Sequence, residues 1–287
     1  MVKLPHLSVS ENAGCAKLLS GTLARPAAEF LLHLMGRSNL AFAATGLRNA
    51  MTAEWSRTGQ PVRRWYQVAC VPGKPPEVES ADFVKLFPEH ALDDGDEGFP
   101  FGRGFTWSCV GITPAGWVGS IPKEPTDQPS YVWMLRRDFG FAYRSRVWED
   151  DPTSAARGHF DIGHQLLRAA QTALLFAKRL PSVPAETPLA FYLDLAGVRG
   201  RGLVNVLRPH PGVPSTTWAQ DETTASVTVP ATELYAEPLA VARRLTIELA
   251  SQIGATFASE SALNAVLEDR RRNKDREYLS ILNAAKR

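Results

Sequence analysis

The chain has 287 residues, 44% hydrophobic and 22% charged, enough to bury a full core and to divide into two modest domains. A formal net charge of +2 excludes an argument for nucleic acid from global charge alone, because that argument needs cations gathered on one face. The three cysteines, Cys15, Cys70 and Cys109, lie far apart with no C-x-x-C pair; this speaks against a disulfide framework or a cysteine zinc site and suits reduced thiols.

The N-terminal stretch MVKLPHLSVSENAG lacks the apolar region of a signal peptide, and no run approaches the ~18 apolar residues of a membrane span. A cytoplasmic protein without membrane contact is expected. From Cys15 to Trp55, Ala- and Leu-rich sequence with apolar residues at spacings of three and four predicts two or three helices, broken near Gly36 to Asn39. RRWYQVACVP then predicts a strand over Trp65 to Val71. PGKPPEVES and EHALDDGDEGFP read as a turn and a solvated acidic loop flanking a short piece around Phe83 to Phe87. Four acids within Asp93 to Glu97 lack the ligand offsets of a calcium loop.

From Phe101 onward, aromatic and β-branched residues alternate with glycine, and TPAGWVG breaks the run as a hairpin turn would. YVWMLRR and FAYRSRVW predict a second hairpin around Asp138, Phe139 and Gly140. DIGHQLLRAAQTALLFAKRL has the spacing of a helix with one buried face, with Asp161 as its N-cap and Pro181 as its stop. PLAFYLDLAGVRGRGLVNVL reads as strand, Gly/Arg corner and strand, and VTVP at 227 to 230 as a last strand. ELYAEPLAVARRLTIELASQIG predicts a helix with Pro238 near its start or kinking it. SALNAVLEDRRRNKDREYLSILNAAKR predicts one charged amphipathic terminal helix. The expected fold class is α+β: a helical N-terminal part, a central antiparallel sheet and a C-terminal α/β part with long terminal helices. The expected domains are residues 1–125 and 126–287.

From Tyr131 to about Gly254 the order of these elements resembles the region downstream of the divergent Alba-type domain in bacterial Schlafen-like ATP-binding proteins. The matching stretches are YVWMLRRDFGFAYRSRVWEDD, DIGHQLLRAAQTALLFAKRL, PLAFYLDLAGVRGRGL, ASVTVP and LAVARRLTIELASQIG, with GVRGRGL the most distinctive. The family's chemistry is marked by a Glu-x-Lys strand and an Asn-x-x-Gly-Gly strand entry, and neither occurs in this sequence. The resemblance therefore implies a strongly diverged or replaced first half and carries over no catalytic residue.

GHFDIGHQ, residues 158 to 165, is the stretch that most resembles a ligand set. His159 and His164 are five residues apart, about 500° around a helix at ~100° per residue, so they point roughly 140° from each other and cannot chelate from one regular helix. A loop-borne His159 could still meet Glu149, Asp150 or Asp151. No phosphate-loop or nucleophile-elbow motif occurs. In GVRGRGL the glycines suit a tight corner, and Arg199 and Arg201 could instead fork onto phosphate or carboxylate. Basic and aromatic residues interleave in the middle strands, where Arg136, Arg137, Arg144 and Arg146 could form an exterior basic stripe beside a buried aromatic face. On the terminal helix, Arg270, Arg271, Arg272, Lys274 and Tyr278 suit either packing on the same domain or docking of a partner.

These readings predict a non-catalytic protein, a bacterial regulatory or defence-associated accessory subunit engaging nucleic acid or a protein partner, with homo-oligomerisation as another use of the same surfaces. No cofactor and no metal are expected. The alternatives are a metal-dependent hydrolase or nuclease built from the 149–164 neighbourhood, and a structural assembly subunit.

Overall fold

The computed structural model describes residues 25–57, 64–85, 110–113, 116–120, 131–147, 150, 154, 158–178, 180–204, 216–255, 258–275, 278–279 and 281–282. The chain divides into two compact units, Met1–Phe42 and Ala43–Arg287. Helix α1 (Arg25–Arg57) is 33 residues long and passes through Gly36 without the expected break. A single interior glycine costs only about 1 kcal/mol against alanine, and the Ala- and Leu-rich flanks outweigh it. The part of the expectation covering 15 to 24 falls outside the described residues.

Strand β1 (Trp65–Pro72) and helix α2 (Ser80–Lys85) come next. Then follow the hairpin of β2 (Val110–Thr113) with β3 (Gly116–Ser120) and the hairpin of β4 (Tyr131–Arg136) with β5 (Phe141–Arg146). The two-residue β6 (Phe160–Asp161) leads directly into α3 (Ile162–Lys178). Strand β7 (Pro188–Ala196), the short β8 (Leu203–Val204) and β9 (Glu222–Pro230) complete the β structure of the described residues. Among the described residues, seven strands form one antiparallel sheet in the order β2-β3-β4-β5-β1-β7-β9, while β6 and β8 pair in parallel as a separate ribbon. The large sheet takes strands from both sides of residue 125.

The fold is thus α+β, with a helix first, an antiparallel sheet at the centre and helices at the end. Pro238 opens a helix rather than kinking one: α4 (Ala231–Ala236) stops, and α5 (Pro238–Ser251) starts with proline in its first turn, where the missing N–H has no helical partner to lose. The terminal helix α6 (Glu260–Arg272) is shorter than expected. It is capped by Ser259 and ends at Asn273 and Lys274, whose φ of 52° leaves the helical region.

Alternation along each strand separates two sheet faces. Tyr66, Val68, Trp133, Leu135, Phe141, Tyr143, Phe191, Leu193, Ala225 and Val229 all point into the main core. Helix α3 lies against β1, α5 against β7 and β9, and α3 and α5 pack on each other, so this face is dry. The opposite face carries Gln67, Arg144, Asp194 and Thr224. Residues Gly46 to Thr52 of α1 lie over it, with Leu47 beside Gly140, Arg48 bonded to Asp194 and Thr52 bonded to Arg144. Among the described residues, no helix is long and apolar enough to cross a membrane.

Candidate functional site

The covered polar face is organised by strand register. Thr224 on β9 pairs with Asp194 on β7, Asp194 with Gln67 on β1, and Gln67 with Arg144 on β5. Four polar residues therefore form one rung straight across four strands, where cross-strand neighbours are close enough to bond. The Asp194 carboxylate accepts from Thr224 Oγ1 at 2.8 Å, from Gln67 Nε2 at 3.1 Å and from Arg48 Nε and Nη2 at 3.1 and 2.5 Å. Gln67 Oε1 in turn accepts from Arg144 Nε at 2.9 Å, and Arg144 also donates to Thr52 Oγ1 at 3.2 Å. The Arg144 guanidinium stacks 3.9 Å from the centre of the Trp65 ring.

Arg144 is only 2% exposed. Burial lowers its pKa to about 10, partly offset by the carboxylates of Asp194 and Glu222, so it stays charged at neutral pH. Arg144 is thus an internal strut and no part of an exterior stripe. The alternation expected for FAYRSR is present, but residues Gly46 to Thr52 cover Arg144 on the face assumed to be wet. Asp194, Gln67 and Arg48 escaped the sequence reading. Their signal is one carboxylate and one amide in the middle of the apolar strands AFYLDLA and WYQVACV, since a buried polar group is retained only where partners meet it.

The other basic candidates divide in the same way. Arg136 pairs with Asp138 at 2.5 Å, and Arg137, at the hairpin turn, lies over the Phe83 ring at 5.4 Å. Arg146 is half-buried opposite Trp65. At the GVRGRGL corner, Gly197 and Gly200 have φ of 71° and 74°, the left-handed backbone that glycine adopts without strain. Arg199 projects outward there. Arg201 is buried, paired with Asp150 and set 5.2 Å over the Phe160 ring. The corner has its structural form, and only Arg199 of its two arginines is on the surface.

GHFDIGHQ is a loop-to-helix junction. Asp161, 2% exposed, accepts from the backbone N–H of Gly163 and His164 at 3.2 Å each, the geometry of an N-cap. Its Oδ2 also receives Arg270 Nη2 at 2.6 Å, and Arg270 reaches Asp275 at 2.6 Å. Gly163 makes room for this arrangement, because a Cβ there would lie 2.7 Å from the Arg270 guanidinium. Arg270 therefore ties α6 to the start of α3. His164 is buried edge-on to Tyr66 with ring centres 5.5 Å apart, and its Nε2 accepts from Arg168 Nε at 3.4 Å. Burial first, then the charges of Arg168 and Arg270, hold its pKa well below the usual 6.5. Among the described residues, no three His, Cys, Asp or Glu side chains gather as a metal site.

On α6, Leu263, Val266 and Leu267 face the core, as does Tyr278 beyond its end. Arg271, Arg272 and Lys274 are exposed, with Arg271 paired to Glu268 at 3.1 Å. The terminal segment thus packs on its own domain and leaves one basic end in solvent.

The polar rung ends at β9, the last strand of the sheet order among the described residues. The Ala231 N–H donates to Thr187 O, and 187 and 231 continue the β7–β9 register, so odd-numbered residues of β9 bond to β7. In an antiparallel ladder the alternate residues then aim their backbone groups the other way, so Glu222, Thr224, Ser226 and Thr228 face outward. The Thr224 carbonyl accepts from the Gln252 amide. A shallow cleft of about 450 Å³ lined by Gln220, Glu222, Thr223, Thr224 and Gln252 lies at this end of the strand.

No family model matches the chain, and neither a curated protein nor a solved structure shows significant similarity to it.

Proposed function

We propose that this chain is a non-catalytic accessory subunit that binds a protein partner by extending its central sheet at β9. The observation that supports this reading is the edge itself. It is nine residues long, ETTASVTVP, with no charge from Thr223 to Val229 and no proline before its last residue. Edge strands with lysine, interior proline or a bulge discourage pairing, and β9 has none of these. Extended segments bind such edges through main-chain hydrogen bonds, with side chains adding selectivity.

The nucleic-acid reading draws less support from the geometry. Arg144, Arg201 and Arg270 are engaged by partners inside the fold, and phosphate recognition needs surface cations. The exposed candidates fall in three places, Arg137 at the β4–β5 turn, Arg199 at the corner and Arg271, Arg272 and Lys274 together at the end of α6.

The test is co-expression of the tagged chain with proteins encoded beside it, using Ser226→Pro as the control. Proline at an outward-facing edge position removes one outward N–H and keeps the β7 ladder. Stoichiometric co-purification lost in S226P is the expected result. Tight, salt-dependent binding of DNA or RNA that S226P leaves intact overturns the proposal.

A further inference from the structure

The sequence of β9 is self-complementary, which identifies an occupant for its edge. Resting on the sheet-extension reading above, we infer that two copies of this chain pair β9 to β9, antiparallel about a twofold axis at Ser226, joining their sheets into one. The outward backbone groups belong to Glu222, Thr224, Ser226 and Thr228, all of one parity. An antiparallel register centred on Ser226 sets outward-facing residues opposite outward-facing residues throughout, as hydrogen-bonded pairs require.

In that register Ser226 meets Ser226, Thr224 meets Thr228, Ala225 meets Val227, Thr223 meets Val229 and Glu222 meets Pro230. No like charges oppose each other, and threonine and β-branched pairs are favourable cross-strand neighbours. The twofold axis stands perpendicular to the sheet, so both copies of α5 lie on one side and both copies of the Gly46–Thr52 segment on the other. The register also uses the whole strand, whereas β2 at the opposite edge is only four residues long. An isologous contact of this kind closes at two copies and leaves no new edge for further growth through β9.

Gln252 acts as a plug in the single chain. Its amide donates to the outward Thr224 carbonyl, and Thr223 Oγ1 is bonded to its side-chain oxygen. In the pair, the Thr228 N–H of the second copy replaces the amide. Gln252 is exposed, so the displaced side chain has solvent to turn into.

The test is sedimentation equilibrium of the full chain, wild type and variants, up to about 100 µM, a range that covers the weak affinities of small interfaces. Wild type is expected to associate reversibly to a dimer and Gln252→Ala to dimerise several-fold more tightly. Ser226→Lys and Ser226→Glu are each expected to be monomeric, because only a twofold axis makes residue 226 face itself. An equimolar mixture of the two restores the dimer. Circular dichroism and thermal melting confirm that both variants fold, since Ser226 is exposed.

A wild type that stays monomeric throughout overturns the inference, as does a dimer that S226K leaves intact or a mixture that does not recover it. A monomeric wild type that still loses a co-purifying partner on S226P defeats the twofold pairing alone and leaves the sheet-extension reading standing. A dimer and a partner both indifferent to position 226 defeat the two together.

Discussion

Gln67 bonds to Asp194 on one side while holding Arg144 on the other, donating at 3.1 Å and accepting at 2.9 Å. One amide thus relays between a buried carboxylate and a buried guanidinium that sit two strands apart. Gln67→Leu is expected to cost about 2–4 kcal/mol, because it leaves both charged groups one bond short in a dry place. Urea denaturation should show a lower midpoint with an unchanged slope. In a double-mutant cycle, Arg48→Met and Asp194→Asn should couple, since they remove two ends of one bidentate pair.

His164 makes stability depend on pH. Its folded pKa is held well below 6.5 by burial and by Arg168 and Arg270, while the unfolded chain takes up a proton near 6.5. Below that pH the unfolded state binds more protons, so stability falls as pH falls from about 6.5, by up to ~1.4 kcal/mol per unit for one group. Above about pH 7 the residue is neutral in both states and adds no slope. His164→Gln should flatten the decline between pH 6.5 and 5 in denaturation midpoints, with the midpoint at pH 8 taken as each variant's own reference.

Asp161 serves α3 and α6 together. Asp161→Asn keeps a cap for Gly163 and His164 and loses the charge partner of Arg270, whereas Asp161→Ala loses both. The expected order of stability is wild type, then Asn, then Ala, with Ala lower by about 3–5 kcal/mol as an ion pair is broken from one side. Gly163→Ala should weaken the same link by pushing on Arg270. Because Arg270 occupies the Asp161 carboxylate, zinc or magnesium should leave the melting temperature unchanged, and a metal-dependent rise abolished by D161A would refute this assignment.

The two arginines of GVRGRGL should behave differently. Arg201→Ala removes the ion pair with Asp150 and the guanidinium over Phe160 and should cost about 1–3 kcal/mol. Arg199→Ala, at an exposed position, should stay within about 0.5 kcal/mol of wild type. Equal effects in thermal melts would show that the corner is held by its backbone alone.

What the sequence carried was local. The Asp138 to Gly140 hairpin is legible because its signals adjoin it: Asp138 Oδ1 accepts from the Gly140 N–H at 3.0 Å, and Phe139 takes the left-handed φ of 61°. The same holds for Asp161 as a cap two and three residues from its donors, and for α3 as a helix, although its burial is not confined to the one expected face: only Arg168, Ala177 and Lys178 of its 17 residues are not buried. No break forms at Gly36, because a propensity cost of about 1 kcal/mol is small beside the rest of a long helix.

The sequence by itself determined the α+β class, most element types and the alternation along FAYRSR, because these follow from neighbours within a few residues; it left the type of Ser80–Lys85 open, did not show β6 and read β9 only from 227 although the strand starts at Glu222. Tertiary structure alone decided the meaning of those parities. FAYRSR says that Arg144 opposes Tyr143, but only the segment Gly46 to Thr52, lying over that face, turns Arg144 from a surface cation into a strut. Its partner Gln67 lies 77 residues away, and Asp194 is a further 127 residues from Gln67. Bonds over such separations depend on which strands adjoin and in what register, and that is settled by packing of the whole sheet, not by any local stretch.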